Sequence, residues 1–180
     1  MENHITHDEA KAIIQERTSR IIVNAVSRRT LNFSIGEDEP RFLVFNEFRL
    51  RSFNNAKTTS GGSSSKGAID VAIMVAPCET AVNKRLTFSI GIEIKDVAGD
   101  LLYNDRLEKY RSHMDYLFYG VTDELVKDAL RKAENMPDVG VLNFQTGQIY
   151  KFPKRAWPSW EVQANVRDEA LFRHLNKWGE

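Results

Sequence analysis

The chain has 180 residues, 42% of them hydrophobic and 28% charged, the composition of an ordinary soluble globular protein and a length that suits one well-packed domain. Its formal net charge of zero excludes a surface that clings to nucleic acid throughout, though it leaves room for a local basic groove. No apolar run approaches the ~20 residues that span a bilayer, the opening MENHITHDEAK lacks a signal-peptide layout, and the single cysteine, Cys78, has no partner for an intramolecular disulfide, so a cytoplasmic location without membrane contact is expected.

In chain order, ITHDEAKAIIQERTSRIIVNAVSRRT reads as a helix. Thr6 followed three residues later by Glu9 fits a capping box, and Ile14, Ile21, Ile22, Ala25 and Val26 recur at helical spacing. RFLVFNEFRLRSF alternates and is rich in Phe and Val, a strand; NNAKTTSGGSSSKG has the composition of a hairpin tip; AIDVAIMVAP and RLTFSIGIEIK are the second and third strands. GDLLYNDRLEKYRSHM returns to helical period, with Tyr103, Leu107, Tyr110 and Met114 as one apolar stripe. DYLFYGV is a fourth strand, and TDELVKDALRKAEN a helix with Thr122 as its expected cap. VGVLNF and QIYKF are strands joined at the turn QTG. KRAWPSW is expected to be irregular, with tryptophans that seal the core, and NVRDEALFRHLNKW is a final amphipathic helix. The order αβββαβ with C-terminal additions predicts a mixed sheet covered by helices in a single domain, its core at about 7–152 and an extension over 153–180.

The second and third strands carry the chemistry. Alternation puts Phe88, Ile90, Ile92 and Ile94 on one face of the third and Ser89, Gly91, Glu93 and Lys95 on the other. In the second, Ile69, Val71, Ile73 and Val75 share a face, and Asp70, Ala72 and Met74 share the opposite one. If the strands are neighbours, Asp70 meets Glu93 across the ladder, and two carboxylates that close call for a cation between them. Hard oxygen ligands of this kind suit Mg²⁺ or Mn²⁺. Lys95 could orient a metal-bound water or offset charge on a phosphate. The plainer alternative is an exposed cross-strand pair of Glu93 and Lys95 at a sheet edge, nearly neutral in energy.

The order Asp70, then Glu93-Ile94-Lys95 on the next strand, resembles the PD-(D/E)xK nuclease superfamily. From about Glu47 to Phe152 the text is similar to MmcB-like DNA repair proteins, through NEFRL, AIDVAIM, GIEIK, the segment from Asp100 to Tyr110, DYLFYGV and PDVGVLNFQTGQIYK. The resemblance implies a restriction-endonuclease-like fold and metal-dependent hydrolysis of phosphodiesters in DNA. It makes Asp70, Glu93 and the backbone carbonyl of Ile94 the ligands of Mg²⁺ or Mn²⁺, and Lys95 the catalytic lysine that positions water. Many relatives act as dimers, so a homodimer is among the expectations. The superfamily's proline before the aspartate is Ile69 here, and the acid, base and tyrosine expected on the following helix are approximated, with shifted spacing, by Asp105, Lys109 and Tyr110. The literal Pro137-Asp138 follows the third strand and is therefore a decoy.

Supporting roles fall to Glu47 and Asp100, each with a plain alternative: an edge-strand carboxylate and a helix-starting one. Glu16 is better matched with Arg20 one turn on. Arg49, Arg51, Lys66, Arg106, Lys109 and Arg111 are nominated to meet DNA phosphates, against a solvated charged surface. Lys151, Lys154 and Arg155 beside Trp157 and Trp160 form a basic and aromatic patch. The four histidines show no metal-ligand spacing, and His4 and His7 receive no role. The rival to a nuclease is a module that keeps the fold, binds DNA or protein, and has lost turnover; a third reading makes the charged face a dimer contact.

Overall fold

The computed structural model describes residues 5–31, 40–49, 67–76, 87–103 and 106–176. A helix α1 (His7–Ile13) runs through a π-helical turn (Ile14–Thr18) into α2 (Ser19–Leu31). Three strands follow, β1 (Arg41–Arg49), β2 (Ala68–Ala76) and β3 (Phe88–Lys95), then α3 (Ala98–Tyr103) and a 3₁₀ turn (Leu107–Tyr110). β4 (Tyr116–Val121), a second 3₁₀ turn (Asp123–Leu125), α4 (Val126–Ala133), β5 (Val139–Asn143), β6 (Ile149–Lys151) and α5 (Trp160–Asn176) complete the order. The six strands form one sheet in sequence order, antiparallel at β1–β2, β2–β3 and β5–β6 and parallel at β3–β4 and β4–β5. This is the mixed, helix-flanked sheet that the pattern predicts.

Both faces of the sheet are covered. Ala10, Ile14, Ile22, Val23 and Val26 pack on Val71, Ile73, Val75, Phe88, Ile90, Ile92 and Ile94. On the other face Leu107, Tyr110, Met114, Ala129, Ala133, Val166 and Ala170 cover Phe45, Phe48, Ile69, Ala72, Leu117, Tyr119 and Val141. β3 and β4 are buried along their whole length, as inner strands with helices on both sides must be.

Several local expectations change. The capping box forms, with Glu9 Oε2 accepting from the Thr6 amide at 2.8 Å and Thr6 Oγ1 from the Glu9 amide at 3.4 Å. The π-turn then inserts a residue into the helical phase, so Ile21 faces solvent at 47% exposure while Val23 is buried. Thr18 Oγ1 and Ser19 Oγ bond back to the carbonyls of Ile13 and Gln15. The helix predicted over 99–114 is instead α3 and a 3₁₀ turn, and Tyr103 lies outside while Leu107, Tyr110 and Met114 are buried. The tighter turn is tied down by the Tyr110 hydroxyl, which donates to the Ala68 carbonyl at 2.7 Å. Thr122 precedes a 3₁₀ turn and makes no side-chain cap bond.

The last helix starts at Trp160, ahead of Asn165, because Ser159 Oγ accepts from the Val162 amide at 3.3 Å. Trp157 and Trp160 do not seal the core: they are 69% and 75% exposed. Arg155 pairs with buried Asp115 at 2.8 Å and stacks over the Trp157 ring at 3.9 Å. Lys151 donates to the carbonyls of Ala133 and Met136 at the end of α4, where a cation also matches the helix dipole. The QTG turn is held by Asn143 Oδ1, which accepts from the amides of Gln145 and Thr146, and Gly147 takes φ +74° there.

Ile69 packs in the opposite core from Val71, Ile73 and Val75, beside Ala72. The β1–β2 ladder runs regularly to Asn46↔Val71 and resumes at Phe48↔Ile69, leaving Glu47 and Asp70 unpaired between them. Glu47 sits at φ +51°, and such a left-handed residue interrupts the pleat, so the alternation changes phase here.

Gly91 shows how closely β3 is packed. A Cβ there would stand 2.3 Å from Ile69 Cδ1 and 2.8 Å from Leu117 Cδ2. Gly91→Ala is expected to cost about 1–3 kcal/mol through overpacking, read as a lower urea midpoint with an unchanged slope; an unchanged midpoint would show that this face is loosely filled.

Candidate active site

The site lies where β2 begins and β3 ends. The paired stretch runs from Val71↔Ile92 to Val75↔Phe88, and just past its end each strand presents one carboxylate, Asp70 and Glu93. The Ile94 amide, no longer paired with β2, donates to Asp70 Oδ2 at 2.8 Å. Asp70 Oδ1 lies 3.0 Å from His7 Nε2, at the first residue of α1. Glu93 Oε1 accepts from Lys95 Nζ at 3.1 Å, a contact available because residues two apart on a strand share a face. Asp70 is 9% exposed and Glu93 and Lys95 4% each, so the surface charge pair of the plainer alternative does not apply. Glu93 Oε2 is buried and has no hydrogen-bond partner among the described residues. A buried carboxylate oxygen left in that state costs on the order of 1–3 kcal/mol and calls for an explanation.

The electrostatics agree with the geometry. Burial first, and the charge of Asp70 second, push Glu93 from its ordinary 4.5 up to about 7, with Lys95 and Arg106 opposing. The Tyr110 hydroxyl is raised by burial and then by Glu93 and Asp70, so both carboxylates face the same space. His7 is raised chiefly by its bond to Asp70, against the cost of its own burial, with Asp96 adding a smaller push. Burial works against the charge on Lys11, but its bonds to Glu47 and Asp8 prevail and hold it above the usual lysine value.

Asp70, Glu93, Ile94, Lys95 and Tyr110 thus come together, with Arg106 in electrostatic range of Glu93 and Tyr110. Glu47 reaches the rim through Lys11, whose Nζ it binds. Asp100 lies exposed in the first turn of α3, Lys109 is exposed on the 3₁₀ turn, and Glu16 is exposed in the π-turn. Arg111 is held by both carboxylate oxygens of Asp138, at 2.6 and 2.7 Å, and by Glu108 at 2.8 Å. This gives the decoy aspartate a structural task. Arg49 is exposed at the end of β1, where its carbonyl accepts from Arg173 at 3.4 Å. Asp105, Arg51, Lys66, Cys78 and His4 lie outside the described residues.

Sequence reasoning missed His7 and Lys11. The one usable signal was the Thr6–Glu9 capping box, which starts the helix at His7 and places Lys11 about one turn further on.

Among the described residues, no three His, Cys, Asp or Glu side chains form a ready-made metal cage. Lys95 engages Glu93, and His7 and the Ile94 amide engage Asp70. The donors nevertheless suit a small hard cation: two buried carboxylates on adjacent strands, one with an oxygen unpartnered among the described residues, and the charge of Asp70 raising the cost of charging Glu93.

No protein-family model matches the chain, and no curated protein does. A solved structure of a protein of unknown function from Silicibacter pomeroyi superposes with a TM-score of 0.50 at 15% sequence identity, covering 91% of this chain and 88% of that one. The likeness is one of fold. No helix among the described residues is long and apolar enough to cross a membrane.

Linkage gives a test of the site's electrostatics. A carboxyl with its folded pKa raised binds its proton more tightly in the native state. Its stabilisation is therefore complete below the unfolded value near 4.5 and is lost as pH rises through about 7. His7, also raised on folding, has the same sign. The metal-free protein should lose stability between about pH 5 and 8, and Glu93→Gln should flatten the lower part of that slope and raise the melting temperature at pH 8. Parallel curves for wild type and variant would show that Glu93 is not held in this way.

Proposed function

We propose that the chain is a metal-dependent nuclease of restriction-endonuclease-like fold, hydrolysing phosphodiester bonds in DNA in the setting of repair, as the MmcB-like resemblance implies. The observation that carries this reading is the meeting of Asp70 with Glu93-Ile94-Lys95 at the ends of two neighbouring strands, around a buried Glu93 oxygen that has no partner among the described residues.

Asp70, Glu93 and the Ile94 carbonyl would hold Mg²⁺ or Mn²⁺. The bound cation would supply Lewis acidity, polarising the phosphate and lowering the pKa of water. Lys95, buried and bonded to Glu93, would hold the attacking water by a charge-assisted hydrogen bond and offset charge developing on the phosphate oxygens. Tyr110 anchors the start of β2 through the Ala68 carbonyl and thereby holds Asp70 in place. Arg106, exposed near the carboxylates, is available to a substrate phosphate.

One feature favours a second reading, in which the fold binds DNA without cutting it. Both carboxylates already have a side-chain partner from the chain, His7 on Asp70 and Lys95 on Glu93. Assays over single-stranded, duplex and branched DNA with Mg²⁺ or Mn²⁺ separate the two. The nuclease reading expects cleavage that Asp70→Asn, Glu93→Gln and Lys95→Met each reduce on the order of 10²-fold or more. DNA retention by the wild type without cleavage under either metal would favour the silent module.

A further inference from the structure

Resting on that reading in its choice of DNA and deepening it, we propose that Trp157 and Trp160 form a stacking platform for unpaired bases, so that the DNA this chain takes has a single-stranded part. Both indoles stand outside, 69% and 75% exposed, and Trp157 does so at φ +52°. A bulky side chain in the left-handed region is strained, and such a backbone persists only where its surroundings impose it. Here they do so from both sides. The Ala156 amide donates to the Asp115 carbonyl at 2.9 Å, Pro153 and Pro158 are buried, and Ser159 caps α5. Arg155, fixed by buried Asp115 at 2.8 Å, lies 3.9 Å from the centre of the Trp157 ring. One face of the indole thus rests on an anchored guanidinium, and the exposure of the residue leaves the opposite face to solvent. A ring held out in this way loses little freedom when a ligand stacks on it.

The neighbourhood selects the ligand. From Tyr150 to Trp160 the chain holds four aromatic residues, three cations and no acid. Lys154 is exposed, and exposed Arg29 lies over the Phe152 ring at 4.5 Å, so phosphates flanking a stacked base meet positive charge. Duplex bases hide their faces in their own stack, whereas a single strand presents them, and an aromatic ring accepts any base. A lipid surface fits less well, because the exposed aliphatic residues of α5, Leu171 and Leu175, lie about three turns or more from Trp160. Asp115 also accepts from the Ser89 amide at 2.9 Å, which sets the platform at the start of β3. Lys95 closes the same strand, about 20 Å away. The platform therefore holds a part of the DNA other than the bond that is cut.

The test is anisotropy of a labelled oligothymidylate longer than the ~16 nucleotides of a large single-strand site, titrated in EDTA so that binding is read without cleavage. Wild type should bind it and show quenched tryptophan fluorescence. Trp157→Ala and Trp160→Ala are each expected to weaken binding about five- to a hundredfold, the loss of one base stack. Trp157→Phe should keep most of the affinity and Trp157→Leu should not, which separates stacking from bulk. Trp157→Gly, which suits the left-handed backbone, should melt no lower than wild type yet bind weakly, so that misfolding does not account for the loss. A blunt duplex should bind wild type and Trp157→Ala equally. Unchanged oligothymidylate affinity in the variant lacking both indoles, or Leu serving as well as Phe, would overturn the platform, and metal-dependent cleavage by the same proteins would leave the nuclease reading standing. Binding that depends on both indoles, without cleavage by wild type under Mg²⁺ or Mn²⁺, would uphold the platform and sink the nuclease. No oligothymidylate binding by wild type would overturn the platform outright.

Discussion

Two carboxylates held inside the end of a sheet impose the constraint to which the rest of this structure answers. Burial, and after it the charge of Asp70, raise the cost of ionising Glu93. Each nearby feature offsets part of that cost. Lys95 donates to Glu93 from the same strand, the Ile94 amide donates to Asp70, and α1 delivers His7 to the remaining Asp70 oxygen. Arg106 contributes charge from the segment after α3. The compensation is incomplete, because Glu93 Oε2 has no partner among the described residues.

The backbone around the site is bent to serve this arrangement. In an uninterrupted ladder Glu47 and Asp70 would face each other across β1 and β2, adding a third carboxylate to the cluster. Instead Glu47 adopts φ +51° and leaves the ladder, at a cost on the order of 1–3 kcal/mol for a non-glycine residue. Its side chain turns to Lys11 of α1 and its carbonyl accepts from Arg173 Nη1 of α5 at 3.0 Å. Arg173 is in turn held by Glu169 at 2.9 Å and lies over the Phe48 ring at 5.0 Å. Helices on opposite faces of the sheet are thereby tied to the one irregular position next to the site. The strain is local, and contacts from both layers hold it.

How much of this could be read from the sequence depended on whether local or distant contacts decided it. The isoleucine face of β3 was legible because alternation is a property of the strand itself, and so was the proximity of Glu93 and Lys95. The partnership of β2 and β3 needed only a hairpin connection. Ile69 was misassigned because a backbone angle on a different strand shifts the phase of β2. Ile21 was misassigned because a π-turn leaves no signature in hydrophobic spacing. The contact of His7 was illegible for a related reason: the capping box puts it at the start of α1, but its partner lies on a strand far along the chain and nothing local reports their meeting. Trp157 and Trp160 show the reverse error, since residue type suggested burial and the fold leaves both rings outside.

Stability alone gives a poor account of the site. A buried ion pair such as Lys95–Glu93 loses hydration on both sides, and well-packed apolar residues of similar volume commonly do as well or better. The surroundings would accept such a replacement: Tyr110, Leu117, Ile69 and Ala72 already form a continuous core on that side of the sheet. The chain instead places three charged residues there, gives β1 a left-handed residue beside them, and leaves a carboxylate oxygen without a partner among the described residues. Each choice works against folding stability, and all of them lie within one small region. Costs concentrated in that way are the usual mark of a site arranged for a ligand. A small cation, bound as proposed above, would relieve most of them at once, because it would give Glu93 Oε2 the partner it lacks among the described residues and would offset the repulsion between the two carboxylates.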